Sequence, residues 1–201
     1  MTAITISRQL GSWGDEVAKA IAERLDFQVT CRELINQAAR RSRAPEMALA
    51  YIDDLGLLGL QPSTKARRSY HEAIQSVMEE AANKGNIVII GRAGQVILRD
   101  FPDVLHVKVI APAALRAARI ANKLNISIEA ANAQVSASDR ARRNYLQRYY
   151  DARWDDPELY DIIVNTQRLS PDQAACLICQ AMAQCIPPST HASSQRTTRD
   201  H

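Results

Sequence analysis

The sequence lacks the features of a membrane-embedded or exported protein. No apolar run approaches the length of about 20 residues that a membrane span needs. The first residues, MTAITISRQLG, have neither the basic opening nor the apolar core of a signal peptide. We therefore expect a cytoplasmic protein that has no membrane partner.

The chain also lacks an excess of charge of either sign. Its formal net charge is +3, with 46% hydrophobic and 23% charged residues, which is an ordinary globular composition. This balance argues against a strongly basic nucleic-acid binder, and we expect no nucleic-acid partner, whereas small anionic ligands fit a weakly basic protein.

Cysteine is scarce, and its spacing does not predict a metal site. The four cysteines are Cys31, Cys176, Cys179 and Cys185. Cys176 and Cys179 form a C-x-x-C, but it lies inside a helical pattern and no second pair follows at zinc-site spacing. We interpret the cysteines as buried thiols in a reducing compartment.

The hydrophobic pattern predicts five strands that alternate with helices. Such an order favours a parallel sheet that is covered on both faces, in a single domain over 1–186. Within it, residues 42–63 have little pattern and are expected to form a mobile insert, and the polar tail 187–201 is expected to be disordered. Ser170 and Pro171 predict the start of the last helix. The predicted strands are 3–7, 27–30, 86–90, 104–110 and 160–166, and the helices are 15–25, 32–41, 64–84, 113–124, 127–154 and 170–184.

Ligands of such sheets bind beyond the carboxyl ends of the strands, which directs attention to the turn after the first strand. There SRQLGSWGDE, residues 7–16, leads a glycine-containing turn into a helix. Free backbone N–H groups and the helix dipole make this arrangement an anion site. The alternative is a simple tight turn.

Arginines supply the other candidates for anion binding. Arg92 follows Gly91 directly after the third strand, a position that suits a phosphate contact better than core packing, although it can also be a surface arginine. Six more arginines follow Pro112, where an ordinary solvated face is the alternative and Asp139 can form a surface ion pair with its neighbours. They are Arg116, Arg119, Arg140, Arg142, Arg143 and Arg148.

Four aromatic residues close the long helical stretch, namely Tyr145, Tyr149, Tyr150 and Trp154. We interpret them as packing this stretch onto the domain, with base stacking as the lesser alternative.

Taken in order, these stretches resemble the cytidylate kinase-like family of P-loop nucleoside monophosphate kinases. The resemblance covers about residues 3–184 and runs through ITISRQLGSWGDEVAKAIAERL, CRELI, IVIIGRAGQVILRDFPDVLHVKVIAP, LRAARIANKL, SDRARRNY and WDDPELYDIIVNTQRLSPDQA. It implies a three-layer α/β/α P-loop kinase fold with a five-stranded parallel sheet and an arginine-rich helical lid over 113–155. It also implies ATP-dependent phosphoryl transfer to a nucleoside monophosphate, with CMP as the acceptor and Mg²⁺ as the cofactor.

The resemblance assigns roles to individual residues. The loop of Gly11, Ser12, Trp13 and Gly14, with Asp15 and Glu16, would wrap the donor phosphates. Arg116 and Arg119 match lid arginines that close over the transferring phosphoryl group. In the D-x-x-R match, Asp139 would meet the ribose and Arg142 the monophosphate of the acceptor. Arg92 and, by a looser match, Arg32 would also bind the acceptor. Clustered arginines suit this chemistry, because phosphoryl transfer needs positioning and neutralisation of spreading negative charge.

The phosphate loop departs from the usual G-x-x-x-x-G-K-[ST]. Counted from the strand end, Arg8 replaces the first glycine, Trp13 the second and Gly14 the lysine, while Asp15 and Glu16 stand where the hydroxyl residue belongs. Two substitutes follow as hypotheses: Arg8 reaches across the loop to supply the lysine's charge, and Asp15 or Glu16 holds Mg²⁺ together with substrate phosphates.

The missing lysine keeps two other functions open. One is a non-catalytic nucleotide-binding or regulatory domain on the same fold, and the other is a kinase for another small metabolite. Ala93, in place of the aspartate that usually follows Gly-Arg in the family, weakens the argument for cytosine as the base.

Overall fold

The chain alternates strands and helices as its sequence predicts. The computed structural model describes residues 3–43 and 63–185, so the predicted insert lies outside the described residues except at its ends, and the predicted tail lies wholly outside them. In chain order the elements are β1 (Ala3–Arg8), α1 (Gly14–Leu25), β2 (Gln28–Thr30), α2 (Arg32–Ser42), α3 (Thr64–Lys84), β3 (Ile87–Ile90), α4 (Gly94–Ile97), β4 (Val104–Ile110), α5 (Ala113–Leu124), α6 (Ile128–Tyr150), a 3₁₀ turn (Pro157–Leu159), β5 (Ile162–Asn165) and α7 (Pro171–Cys185).

The five strands form one parallel sheet in the order β2-β3-β1-β4-β5, which confirms the predicted sheet. One face packs on α1 and α7 through a cluster that includes Ile4, Ile21 and Ile178. The other face packs on α2 and α3 through a second cluster that includes Ile35 and Met78. Helices on both faces of the sheet make the fold a three-layer α/β/α sandwich.

Helices α5 and α6 form a separate layer of apolar contacts near the end of β1. Ala117, Ile120 and Val135 are buried there, with Leu10 packed against them. Helix α6 begins where the Ser127 hydroxyl accepts a hydrogen bond from the Ala130 N–H at 3.2 Å.

The predicted length of α6 was wrong at its end. The helix stops at Tyr150, because Asp151 adopts a left-handed conformation at φ 49°. Trp154 therefore lies in the segment that returns to the sheet, where it packs with Ala93 and Leu146. The predicted packing role of the aromatic residues is confirmed, since Tyr145 and Tyr150 border the same cluster.

The face of β1 and β4 that meets α2 and α3 becomes polar toward the strand ends. Ala3 and Val104 are apolar, whereas further along Thr5 lies beside His106, and Ser7 beside Lys108. This change places buried polar groups directly beneath the carboxyl edge of the sheet. None of the helices in the described parts of the chain is both long and apolar enough to cross a bilayer.

Candidate active site

The loop after β1 has the geometry of an anion-binding turn. Gly11 and Trp13 have φ values of 79° and 63°, and α1 starts at Gly14. No side chain caps this helix, so the amides of its first turn, which have no partners inside the helix, face the loop. A turn of this shape at the start of a helix is the backbone geometry that the predicted anion site requires.

Arg8 crosses this loop. Its Nε donates to Asp15 Oδ1 at 2.9 Å. The Arg8 side chain runs so close over Gly14 that a Cβ there would lie 2.3 Å from Arg8 Cβ. Its Nη1 also approaches Gly91 so closely that a Cβ on that glycine would lie 2.7 Å away. The guanidinium thus lies between the loop and the end of β3, where the hypothesis of a substitute for the lysine needs it.

Ser12 is turned away from the anion site. It is fully buried, and its hydroxyl donates to Gln9 O at 2.8 Å and to Val109 O at 3.0 Å. The Ser12 N–H donates to Gln9 O as well. These bonds fix the shape of the turn, so the contribution of Ser12 to phosphate binding is indirect.

Arg119 holds the loop from the side of α5. Its guanidinium lies over the Trp13 ring, with Cζ 3.3 Å from the ring centroid. It also donates to Gly11 O at 3.2 Å, to Thr166 Oγ1 at 3.1 Å and to Thr166 O at 2.8 Å. Thr166 was not foreseen from the sequence, and it joins the end of β5 to the loop by a further hydrogen bond to Ser12 O.

A pocket opens beside the loop, and we call it the loop pocket. Its charged lining consists of four basic and two acidic side chains, which favours an anion accompanied by a cation. They are Arg8, Arg119, Lys123, Arg142, Asp15 and Glu16. Glu16 lies 3.5 Å from the Lys123 ammonium.

A second pocket, which we call the strand-end pocket, lies at the carboxyl ends of β1 and β3. Its lining includes Arg8, Arg92, Arg142, Gln95 and Trp154. Three arginines and no carboxylate stand among its described lining residues, a composition that favours an anionic ligand.

The chain reaches this pocket through a left-handed turn. Gly91, Arg92 and Ala93 have φ values of 73°, 61° and 56°, so three residues in succession are left-handed. For the two residues that carry a Cβ, this conformation is unfavourable. Strain of this kind is found where a side chain must be aimed, and here it accompanies the placement of Arg92 in the pocket lining.

Trp154 lines the strand-end pocket, and both its indole and its backbone carbonyl are hydrogen-bonded. Its indole N–H donates to Ser7 Oγ at 2.9 Å. Its carbonyl oxygen accepts from Lys108 Nζ at 2.7 Å and from the Tyr160 hydroxyl at 2.9 Å. Burial lowers the pKa of Lys108, which the Asp155 carboxylate opposes, and burial raises the pKa of Tyr160 to about 12. The Tyr160 hydroxyl therefore remains a donor at neutral pH.

The two pockets share two arginines. Arg8 and Arg142 line both the loop pocket and the strand-end pocket. Arg142 also donates to the Ser138 hydroxyl one turn earlier on α6. The two cavities thus meet at a pair of guanidinium groups.

Arg116 and Asp139 form a buried ion pair. Two hydrogen bonds of 3.1 and 2.8 Å join the Arg116 guanidinium to the two carboxylate oxygens. Arg116 is 4% exposed, and neither residue lines either of the two pockets. The solvated face is therefore wrong for Arg116, and the surface ion pair with Arg142 or Arg143 is wrong for Asp139, which is buried.

The remaining candidates are placed less fully. Arg32 is the first residue of α2, but its side chain lies outside what the structure describes.

Across residues 3–43 and 63–185, no group of three or more histidine, cysteine or acidic side chains is placed to hold a metal ion. The prediction of buried thiols was wrong for the three described cysteines, since Cys176 is exposed on α7 and Cys31 and Cys179 are only half-buried.

Sequence reasoning missed Lys108, Gln95 and Thr166. Lys108 is buried in β4, a strand rich in β-branched residues. An ionisable residue in such a strand indicates a buried polar site, and this could have been noticed in the sequence. Gln95 and Thr166 carried no comparable signal, since neither side chain is ionisable.

Comparison with known proteins agrees with this architecture. The model of the Cytidylate kinase-like family matches residues 3–168. A cytidylate kinase of Staphylothermus marinus is 25% identical over 182 residues, which cover 89% of this chain and 94% of the relative.

Two solved structures share the fold. An uncharacterised protein from Eubacterium ventriosum matches with a TM-score of 0.68 and 21% identity, over 90% of this chain and 98% of that one. Shikimate kinase from Acinetobacter baumannii matches with a TM-score of 0.52 and 13% identity, over 92% of this chain and 94% of that one. The α/β architecture is that of P-loop kinases, and the chain belongs to the cytidylate kinase-like family.

Proposed function

We propose that this protein transfers the γ-phosphoryl group of ATP to a nucleoside monophosphate, with CMP as the acceptor that the family resemblance favours. The observation that carries the proposal is the pair of adjoining pockets that share Arg8 and Arg142. A two-substrate transfer needs donor and acceptor to meet at one point under positive charge, and a protein that binds a single nucleotide has no use for a second pocket of this kind.

The loop pocket is the proposed donor site. The backbone amides at the start of α1 would bind the β- and γ-phosphates of ATP, and Arg8 would supply the charge that a lysine gives in other phosphate loops. Arg119 would hold the loop in shape through Gly11 and Trp13, which it already contacts.

The proposed cofactor is Mg²⁺. Asp15 and Glu16 both line the loop pocket, where Asp15 is paired with Arg8 and Glu16 with Lys123, and binding of the ion would replace those partners and free Arg8 for the phosphates. One or two carboxylates with phosphate oxygens are a set of ligands that suits this ion. When bound, Mg²⁺ would neutralise charge on the donor phosphates.

The strand-end pocket is the proposed acceptor site. Arg92 and Arg142 would bind the monophosphate, and the shared position of Arg142 would place that phosphate next to the γ-phosphoryl group. Gln95 and the ring of Trp154 would then contact the uncharged part of the acceptor. Ala93 belongs to the same apolar cluster as Trp154, so this position, where the family resemblance expects an aspartate, offers no carboxylate to the acceptor base.

The test is a coupled assay of ADP release with ATP, Mg²⁺ and a panel of nucleoside monophosphates and small hydroxylated acids. We expect turnover with CMP, and we expect Arg142→Met to lower it by about 10²- to 10³-fold, the usual cost of losing one charge-stabilising group. Arg140→Met is the matched control, because Arg140 is exposed on the same helix and lines neither pocket.

Each alternative has its own result in this assay. Turnover with a hydroxylated acid and with none of the nucleotides would assign the protein to another metabolite. Nucleotide binding without turnover of any acceptor would assign it to a regulatory role and contradict the proposal.

A further inference from the structure

We infer that Arg116 and Asp139 are a positioning pair that fixes the phosphate loop relative to α6. Neither side chain touches a substrate. This differs from the roles that the family resemblance gives them, namely a lid arginine and a ribose contact. The binding and turnover parts of the inference rest on the proposed function, whereas its stability part does not.

Four of the five N–H groups of the Arg116 side chain donate to acceptors within the protein. Its Nε donates to Ala111 O at 2.9 Å, and its Nη1 donates to Leu10 O at 3.4 Å. Nη1 and Nη2 also bind the two oxygens of Asp139. To reach a phosphoryl group, this side chain would have to leave a buried carboxylate without its partner, which is strongly unfavourable.

The pair joins three parts of the site. Leu10 lies in the phosphate loop, and the neighbouring Gly11 packs so tightly on the backbone of Arg116 that a Cβ there would lie 2.7 Å from Arg116 O. Asp139 lies on α6, close to one turn before Arg142. Together with the packing of Leu10 against the apolar cluster of α5 and α6, this ion pair fixes the loop that would bind the donor relative to the helix that carries the shared arginine.

This arrangement predicts an effect across the site. Asp139 does not line the loop pocket, so a direct role would leave ATP binding unchanged when Asp139 is altered. A positioning role predicts the opposite, because loss of the pair frees Arg116 and with it the loop at Leu10. We expect Asp139→Asn and Arg116→Met each to weaken ATP binding about tenfold, since small displacements of a positioned group have effects of this order or larger.

The first experiment measures ATP affinity by isothermal titration calorimetry, with each variant made in the otherwise unaltered protein. All measurements are made well below the melting temperature of each variant, so that loss of folded protein does not contribute. An unchanged ATP affinity in both variants would overturn the inference.

The second experiment compares CMP with 2′-deoxy-CMP as acceptors for Asp139→Asn. If Asp139 only positions α6, the variant lowers kcat/KM for both acceptors by the same factor. A selective loss with CMP would show that Asp139 binds the ribose hydroxyl, and would refute the inference. Absence of turnover in the unaltered protein would count against the proposed function instead, and leaves the third experiment to decide on the pair.

The third experiment measures thermal stability and needs no nucleotide. Either single variant should lower Tm by roughly 10 °C, and the double variant Arg116→Met with Asp139→Leu should recover much of that loss, because a buried pair replaced by apolar groups leaves no unpaired charge. The control is Arg41–Glu80, a pair with the same two-bond geometry at 2.6 Å but with side chains 39% and 46% exposed. A Tm loss for Arg116→Met no larger than that for Arg41→Met would contradict a buried positioning pair.

Discussion

Exchanging Arg92 for glycine and for alanine should separate the strain of the β3 turn from the function of its side chain. Arg92 has a φ of 61° and is followed by Ala93 at 56°, so a residue with a Cβ occupies a left-handed position here. This conformation costs such a residue roughly 1–2 kcal/mol. Both variants lack the guanidinium, so their difference in stability reports only on the Cβ and the backbone.

The expected difference in stability between the glycine and alanine variants has the opposite sign to that at an ordinary position. Glycine usually lowers stability relative to alanine by about 0.5–1 kcal/mol, because it has more freedom to lose on folding. At residue 92 the relief of strain exceeds this loss, so the free energy of unfolding of Arg92→Gly should be about 0.5–1 kcal/mol higher than that of Arg92→Ala. At this chain length that difference corresponds to a Tm shift of a few degrees, about 1–4 °C.

The assay is urea unfolding of both variants followed by circular dichroism, together with Ala133→Gly as the control. Ala133 is exposed in the second turn of α6, where the exchange should lower stability by about 1 kcal/mol. If Arg92→Gly proved less stable than Arg92→Ala, as in the control, the turn would not be strained and the reasoning would fail.

The same two variants also test the proposed role of the side chain. Both should raise the KM for the acceptor by about 10- to 100-fold, since a hydrogen bond to a charged group contributes about 1.5–3 kcal/mol and 1.4 kcal/mol is a factor of ten. An unchanged acceptor KM in both variants would remove Arg92 from the acceptor site.

Three further predictions follow from contacts elsewhere in the site. Gly14→Ala should destabilise the protein by about 1–3 kcal/mol and weaken ATP binding, because a Cβ at this position would lie 2.3 Å from Arg8 Cβ; unfolding curves and ATP titrations measure both effects. Burial lowers the pKa of His106 below its usual 6.5, so its contribution to stability is full above about pH 6.5 and is lost as the pH falls toward the lowered pKa. The His106→Gln variant should therefore lose less free energy of unfolding between pH 7 and pH 5 than the unaltered protein, and an equal loss would show that His106 does not titrate in that range. Trp154→Phe removes the indole donor to Ser7 and should raise the KM for the acceptor without changing ATP affinity, whereas equal effects on both substrates would show that Trp154 does not belong to one pocket alone.

The strands and most helix ends could be predicted because their signals are local. Residues 87–90 are continuously apolar, as a central parallel strand requires, and they form β3. The start of α7 at Pro171 was equally visible, and the Ser170 hydroxyl accepts the expected hydrogen bond from the Gln173 N–H at 3.2 Å. The early end of α6 could not be predicted, because Asp151 is left-handed without being glycine.

The types of residue that form the candidate site could be predicted, but the contacts that each of them makes could be predicted less well. The arginines after Pro112 were identified as a set, but nothing local shows that Arg116 points inward to Asp139 while Arg119 lies over Trp13. Such choices depend on where α5 and α6 meet the phosphate loop, which is a tertiary contact. Lys108 was missed for the same reason, since its partners at Trp154 and Asp155 are more than 40 residues away.

The central claim is that donor and acceptor meet at the arginines shared by the two pockets, and initial-rate kinetics test it most directly. ADP release is measured while ATP and CMP are varied against each other in the presence of Mg²⁺. Direct transfer inside a complex of both substrates predicts reciprocal plots that intersect, with ADP released only when the acceptor is present. Parallel plots, which indicate a covalent phosphoryl-enzyme, or ADP release independent of CMP would contradict the account.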